Sequence, residues 1–125
     1  MTLAYLGTPY TRYDAGLNAA FYDACRLTAR LLATGIKCFS PIVHGHAIST
    51  HGNLDPLDLR IWYPFNDLMM DRCDVLIVAH LPGWTESDGI AYEIKTFERC
   101  CKPIFDLDCE SLRMVRRTMA WEAVA

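Results

Sequence analysis

The chain has 125 residues, 52% of them apolar, and a formal net charge of −3, which is long enough to bury roughly two-thirds of its unfolded surface in one core. A single domain over residues 1–125 is therefore expected. Positive charge is dispersed until Arg113, Arg116 and Arg117, so the basic stripe of a nucleic-acid-binding protein is absent while a small anionic ligand stays open.

The six cysteines, Cys25, Cys38, Cys73, Cys100, Cys101 and Cys109, are too sparse for a disulfide scaffold. Three of them, Cys25, Cys73 and Cys101, fall on predicted apolar faces, where thiols behave as small hydrophobes. The N-terminus has no basic region, and only a short apolar run precedes Gly7-Thr8-Pro9, unlike a signal peptide. No apolar stretch reaches membrane-spanning length. A cytoplasmic protein with no membrane partner is expected.

In chain order, Leu3 to Leu6 reads as a short buried strand that stops at Gly7-Thr8-Pro9, with a loop continuing through Tyr10, Thr11 and Arg12. A helix is predicted from Asp14 to Gly35, with Phe21, Cys25, Thr28 and Leu32 facing inward. Ile36 to Phe39 is a second strand, ended by Ser40-Pro41, and Ile42 to Asn53 reads as irregular. A helix then starts at Asp55-Pro56 and is interrupted by Pro64. Its second piece, Pro64 to Arg72, carries Phe65, Leu68 and Met69 on one side and Asp67 and Asp71 elsewhere. Asp74 to Leu81 is the third strand. The helix after it has an apolar stripe of Ile90, Ile94, Phe97 and Cys101. Pro103 to Phe105 is a fourth strand, and Glu110 to Trp121 a final amphipathic helix.

Apolar strands alternating with helices predict an α/β fold: a Rossmann-like or flavodoxin-like open parallel sheet of four to five strands with helices on both faces. Right-handed crossovers make the first and third strands neighbours where strand order reverses, and ligands bind at the carboxyl ends of the strands there. The loops Gly7 to Arg12 and Pro82 to Asp88 lie at that point.

Within the second loop, Ser87 or Asp88 can cap the following helix, whose first free N–H groups attract an anion. Glu93 sits roughly 60° round that helix from Ile90, bordering the buried face, and leans toward the turn holding Gly89. A carboxylate beside an anion-receptive loop is one reading; an exposed glutamate favourable to the helix dipole is the other. His44, His46 and His51 lack the spacing of zinc patterns, so no metal is expected and substrate contact or loop packing is left. Trp84 can stack on a base, cover the site or meet another subunit.

Three motifs in order, Tyr5-Leu6-Gly7, Asn66-Asp67-Leu68 ahead of Cys73-Asp74-Val75, and Ser87-x-Gly89-x-x-x-Glu93, resemble the nucleoside 2-deoxyribosyltransferase-like superfamily. Small phage and bacterial members of unknown function are similar in sharing Ser40-Pro41-Ile42, a histidine pair and Pro82-Gly83-Trp84. The resemblance implies that Glu93 is a nucleophile toward the anomeric carbon, Asp67 the acid that protonates the leaving base, and Tyr5 the group that orients Glu93. On spacing alone, Asp67 reads equally as a solvated helix residue and Tyr5 as core packing.

In the transferases the residue six before the nucleophile is an aspartate that binds the free 5′-hydroxyl; Ser87 stands there in this chain, as in the 2′-deoxynucleoside 5′-phosphate N-hydrolases. A serine hydroxyl donates to phosphate where a carboxylate repels it. The expected function is thus cleavage of the N-glycosidic bond of a nucleoside 5′-monophosphate without metal or organic cofactor. Gly7, Arg12, Ser87, Gly89 and His44 are expected to contact substrate, and a homodimer or higher homo-oligomer is implied. Base exchange between nucleosides and ligand sensing without cleavage are the alternatives.

Overall fold

Two strands that are apolar on both faces can be buried only at the centre of a sheet, and Ala4–Gly7 (β1) and Val75–Ala79 (β3) take that place, paired in parallel with Tyr5 opposite Leu76 and Gly7 opposite Val78. Cys38–Phe39 (β2) adds in parallel to β1, and Ile104–Leu107 (β4) in parallel to β3. Met114–Arg116 (β5) closes the far edge antiparallel to β4, giving the order β2-β1-β3-β4-β5. The computed structural model describes residues 1–122.

Side chains alternate between the two faces. Tyr5, Leu76, Val78 and Ile104 pack with Met70 of Leu59–Arg72 (α3) and with Ile90 and Phe97 of Asp88–Arg99 (α4). Ala4, Leu6, Ile77, Ala79 and Leu107 pack on the opposite side with Leu27 and Leu31 of Leu17–Ala33 (α1). Helices therefore cover both faces of an open, mostly parallel sheet, as the sequence predicts. No helix among the described residues is long and apolar enough to cross a membrane.

Four local expectations are corrected. Helix α1 begins after Gly16 (φ 96°) and not at Asp14, and it buries Ala20, Ala24, Leu27 and Leu31, one residue ahead of the predicted stripe. The alanines bring the helix close to the sheet, while Leu32 is 52% exposed and Phe21 turns aside to stack on His46. The stretch read as irregular is a helix, Pro41–Gly52 (α2), with the Ser40 hydroxyl accepting from Val43 N at 3.2 Å, Pro41 in its first turn and Asn53 in the left-handed region at its end. Its apolar residues form no single stripe, so periodicity misses it, although serine followed by proline is a start signal.

Helix α3 starts after Asp58, whose carboxylate accepts from Arg60 N, and runs through Pro64 without a break. A proline in a helix removes one hydrogen bond and bends it, and here packing of α3 on the core outweighs that cost. The segment predicted as a C-terminal helix instead turns at Leu112 (φ 61°) and pairs as β5, with Arg117 donating to both oxygens of Asp106 on β4 at 2.8 and 2.9 Å. That partner is distant in sequence, so local pattern does not reveal it. Burial opposes ionisation of Asp106, but the hydrogen bonds from Arg117 and His80 outweigh it and hold its carboxyl below the usual range. The six thiols are free; Cys73 is buried as expected, Cys25 half-buried, and Cys101 exposed beyond the end of α4.

The carboxyl end of α3 leaves orphan carbonyls, and Lys102 meets them: its Nζ donates to Met70 O, Asp71 O and Cys73 O at 3.1, 2.8 and 2.9 Å. Lys102→Met keeps the apolar stem and removes the ammonium. It is expected to lower the unfolding free energy by roughly 1–3 kcal/mol, the cost of leaving such groups unpaired, measured by urea denaturation; an unchanged midpoint would mean that water replaces the lysine.

Candidate functional site

Helix α4 begins where the loop after β3 ends, and Ser87 fixes its start by accepting from Ile90 N at 3.2 Å. From that start, Glu93 falls on the face turned toward β1 and is 9% exposed. The nearest strand position is Gly7. A methyl group there would sit 2.6 Å from Glu93 Oε1, and Gly7 has no positive φ, so glycine is required for space and not for backbone conformation. Gly89 is different: a methyl group there would meet only Ser87 Oγ at 3.9 Å.

Two residues before Gly7 on the same face, Tyr5 is fully buried. Three buried polar atoms, Tyr5 Oη, Thr8 Oγ1 and Glu93 Oε1, have no hydrogen-bond partner among the described residues. All three residues line one cavity of about 270 Å³ at the carboxyl ends of β1 and β3, together with Ser87 and Gly89. Buried polar groups are ordinarily paired, and the exceptions call for an explanation. Of the five such atoms among the described residues, these three converge on the same space, while His44 Nδ1 and Ser49 Oγ lie outside the lining.

Burial raises the Glu93 carboxyl from its ordinary value of 4.5 to about 8, an effect that the nearby Tyr5 hydroxyl only partly offsets. Burial likewise raises Tyr5 far above the phenol range, and the neighbouring Glu93 adds to the rise. The site thus holds a carboxyl that changes charge near neutral pH, the property expected of a group with a chemical task.

Aromatic rings make up much of the rest of the lining. Tyr63 and Tyr92 stack with ring centroids 4.7 Å apart, and the Tyr92 hydroxyl donates to Asp67 Oδ1 at 2.6 Å. Trp62, anchored by Nε1 donating to Asp55 O at 3.0 Å, lies against Gly45 of α2. Tyr10, in the loop after β1, also lines the cavity.

Of the residues singled out in the sequence, Tyr5, Ser87, Gly89 and Glu93 are brought together on the cavity, with Gly7 beneath the Glu93 carboxyl. Asp67 is not on it: the side chain is exposed, Asn66 takes the lining position, and Asp67 reaches the cavity only through Tyr92. Arg12 stands outside the lining and pairs with Asp88, which lines the cavity, at 3.0 Å. His44 is not on the cavity either; it packs against Phe39 and stacks on Phe65 at 4.9 Å. Trp84 stacks on His80 at 4.0 Å, away from the lining.

Thr8, Tyr10, Trp62 and Tyr92 were not singled out as contacts from the sequence. For Thr8 and Tyr10 the signal existed, since they lie in the loop at the switch point; Trp62 and Tyr92 depend on how α3 packs on α4. Helical spacing puts His44 and His46 on different sides of α2. Among the described residues no group of three or more His, Cys, Asp or Glu side chains is placed to hold a metal ion.

Comparison with curated proteins gives no match. The sequence pattern of a family described as a domain of unknown function, DUF1937, matches residues 2–108. That span runs from the start of β1 through β4 and includes every residue lining the cavity, and the chain belongs to this family.

Proposed function

We propose that the protein hydrolyses the N-glycosidic bond of a nucleoside or 2′-deoxynucleoside 5′-monophosphate, with Glu93 as nucleophile. The observation that carries this reading is the Glu93 carboxyl itself, buried in the cavity wall with Oε1 unpartnered beside the unpartnered Tyr5 hydroxyl. A bond forms between a Glu93 oxygen and C1′ as the C1′–N bond breaks; the electron pair leaves with the base, which takes up a proton. Water then attacks C1′, releases Glu93 and gives net retention of configuration.

Tyr5 positions the carboxyl from the strand below. In this reading the Asp67–Tyr92 pair supplies the proton to the leaving base, with Tyr92 as the member on the cavity. Ser87 Oγ accepts from its own helix, which leaves its hydrogen free to donate to a phosphate beside the first unpaired N–H groups of α4. Arg12 offsets the charge of Asp88 at that end. A second base in place of water turns the same steps into base exchange.

The raised Glu93 pKa also favours a second reading, a protein that binds nucleotide without cleaving it. Near pH 7 most of the carboxyl is protonated in the ligand-free protein, and a neutral carboxyl donates a hydrogen bond where a carboxylate attacks.

The pH profile separates the two. With ionised Glu93 as nucleophile, kcat/KM for base release is expected to climb about tenfold per pH unit below about 8 and level off above it; a rate that falls above pH 8 would make Glu93 the acid instead, and no base release at any pH leaves the binding protein.

Glu93→Gln is expected to abolish base release, followed by chromatography of nucleoside and nucleotide panels, and to stabilise the fold. The folded carboxyl has its pKa raised above the unfolded value, so the unfolded chain loses its proton first and stability drains away between pH 4.5 and about 8. Glutamine does not titrate. Its advantage should be absent near pH 4 and grow to roughly 1–4 kcal/mol by pH 8, measured by thermal unfolding across pH; a pH-independent difference would contradict the burial argument.

Ser87→Asp keeps a helix-capping oxygen but places a negative charge where phosphate is proposed to bind. Monophosphate turnover should fall by about tenfold or more relative to the parent nucleoside, a shift of ~1.4 kcal/mol. An unchanged preference would remove the phosphate from this end of the cavity.

A further inference from the structure

Helix α3 turns one face to the cavity. Its lining residues are Leu59, Trp62, Tyr63, Asn66 and Met70, which follow the spacing of a single helical stripe, while Phe65 and Asp67, the chain neighbours of Asn66, are exposed. Asn66 is half-buried and is the one side-chain amide in the lining. Trp62 and Tyr63 stand one helical turn before it, and Tyr63 stacks on Tyr92 of α4 with ring centroids 4.7 Å apart. Two polar atoms of these rings already have partners: Trp62 Nε1 donates to Asp55 O at 3.0 Å, and the Tyr92 hydroxyl donates to Asp67 Oδ1 at 2.6 Å. Side-chain hydrogen bonds from α3 to other segments run through Trp62 and Asp67, and among the described residues none engages the Asn66 amide. The lining thus combines ring surface for a planar group with an uncommitted amide beside it.

We infer that Asn66 is a specificity-determining residue that reads the nucleotide base: the base lies against the aromatic rings, and the Asn66 amide exchanges hydrogen bonds with an exocyclic group and the ring nitrogen next to it. This inference rests on the nucleotide reading given above. Stacking tolerates any base, because every base has a π-face. An amide adds a donor and an acceptor side by side and pairs with an edge that offers the reverse. It can turn end for end to meet an amino or an oxo group, so the pairing does not depend on which way the amide points in the ligand-free protein. An amide holds the base without protonating it, and the proton stays with the Asp67–Tyr92 pair. A base that lacks the exocyclic group leaves half of the amide unpaired, which a site built for that group discriminates against.

The test is a double-mutant cycle between Asn66 and the base, read by calorimetric binding to protein carrying Glu93→Gln, so that nothing turns over. The ligands are four 2′-deoxynucleoside 5′-monophosphates in two pairs: adenine with unsubstituted purine, and cytosine with the 2-oxopyrimidine that lacks its amino group. Each is measured with Asn66 intact and with Asn66→Leu added, after circular dichroism has checked the fold. With Asn66 intact, losing the exocyclic group should weaken binding by about tenfold or more within the pair that binds. With Asn66→Leu the same loss should change binding by no more than about threefold, because the two changes remove one interaction and do not add. Asn66→Ala, the better helix former, serves in its place if Asn66→Leu does not fold. Equal binding within each pair, or a gap that persists without the amide, overturns the inference and leaves the glycosidase reading standing. Base release by the wild type is followed in parallel: its absence with the coupling present sinks the glycosidase reading alone, and a failure of all four nucleotides to bind sinks both.

Discussion

A helix carboxyl group buried against a parallel sheet, with one oxygen that has no partner among the described residues, is the constraint around which this molecule is arranged. Glu93 stands against Gly7, where a single methyl group would collide with Oε1, and Tyr5 lies two residues away on the same face with its own hydroxyl unpaired. Burying such groups without a protein partner costs stability. The surrounding structure must hold them in place by other means, which is why the site sits on the fully buried strand β1 beside β3 and on a helix whose start is fixed by the Ser87 hydroxyl.

The supports lie away from the cavity. Lys102 gathers three carbonyls at the end of α3, and α3 carries Trp62 and Tyr63 of the cavity lining. Arg117 and His80 converge on Asp106 and lock β5 to the sheet edge. These are polar interactions with full partners, in contrast to the unpaired atoms of the site, so the fold separates groups that stabilise from groups left available to a ligand. The cavity lining combines the Glu93 carboxyl, the hydroxyls of Tyr5, Thr8 and Ser87 and the start of α4 with aromatic rings and aliphatic side chains.

Strands β1 and β3 and helices α1 and α4 are legible in the sequence because each carries a strong local signal: β1 and β3 as short apolar runs, α1 and α4 as apolar stripes at helical spacing. Where the signal is weak, tertiary contact decides. Helix α2 shows no apolar stripe because one side meets α1 through His46 while the other meets Trp62 through Gly45. The C-terminal segment carries an amphipathic pattern compatible with a helix, yet pairing with β4 satisfies its backbone and joins Arg117 to Asp106. In α1 the stripe is rotated by one residue, since alanine permits close approach to the sheet and phenylalanine does not.

Sequence alone determined the α/β class, the switch point between β1 and β3, and Ser87 and Glu93 as neighbours at it, because these follow from strand polarity and from offsets within one loop and one helix; Tyr5 joined them only through the resemblance of its motif. Only the tertiary structure decided that Asp67 stands outside the cavity behind Tyr92, that Arg12 is held by Asp88, and that His46 and not His44 reaches the site through Tyr10. Those outcomes depend on the rotation of α2 and α3 about their own axes. That rotation is set by packing between segments far apart in the chain, which no local spacing encodes.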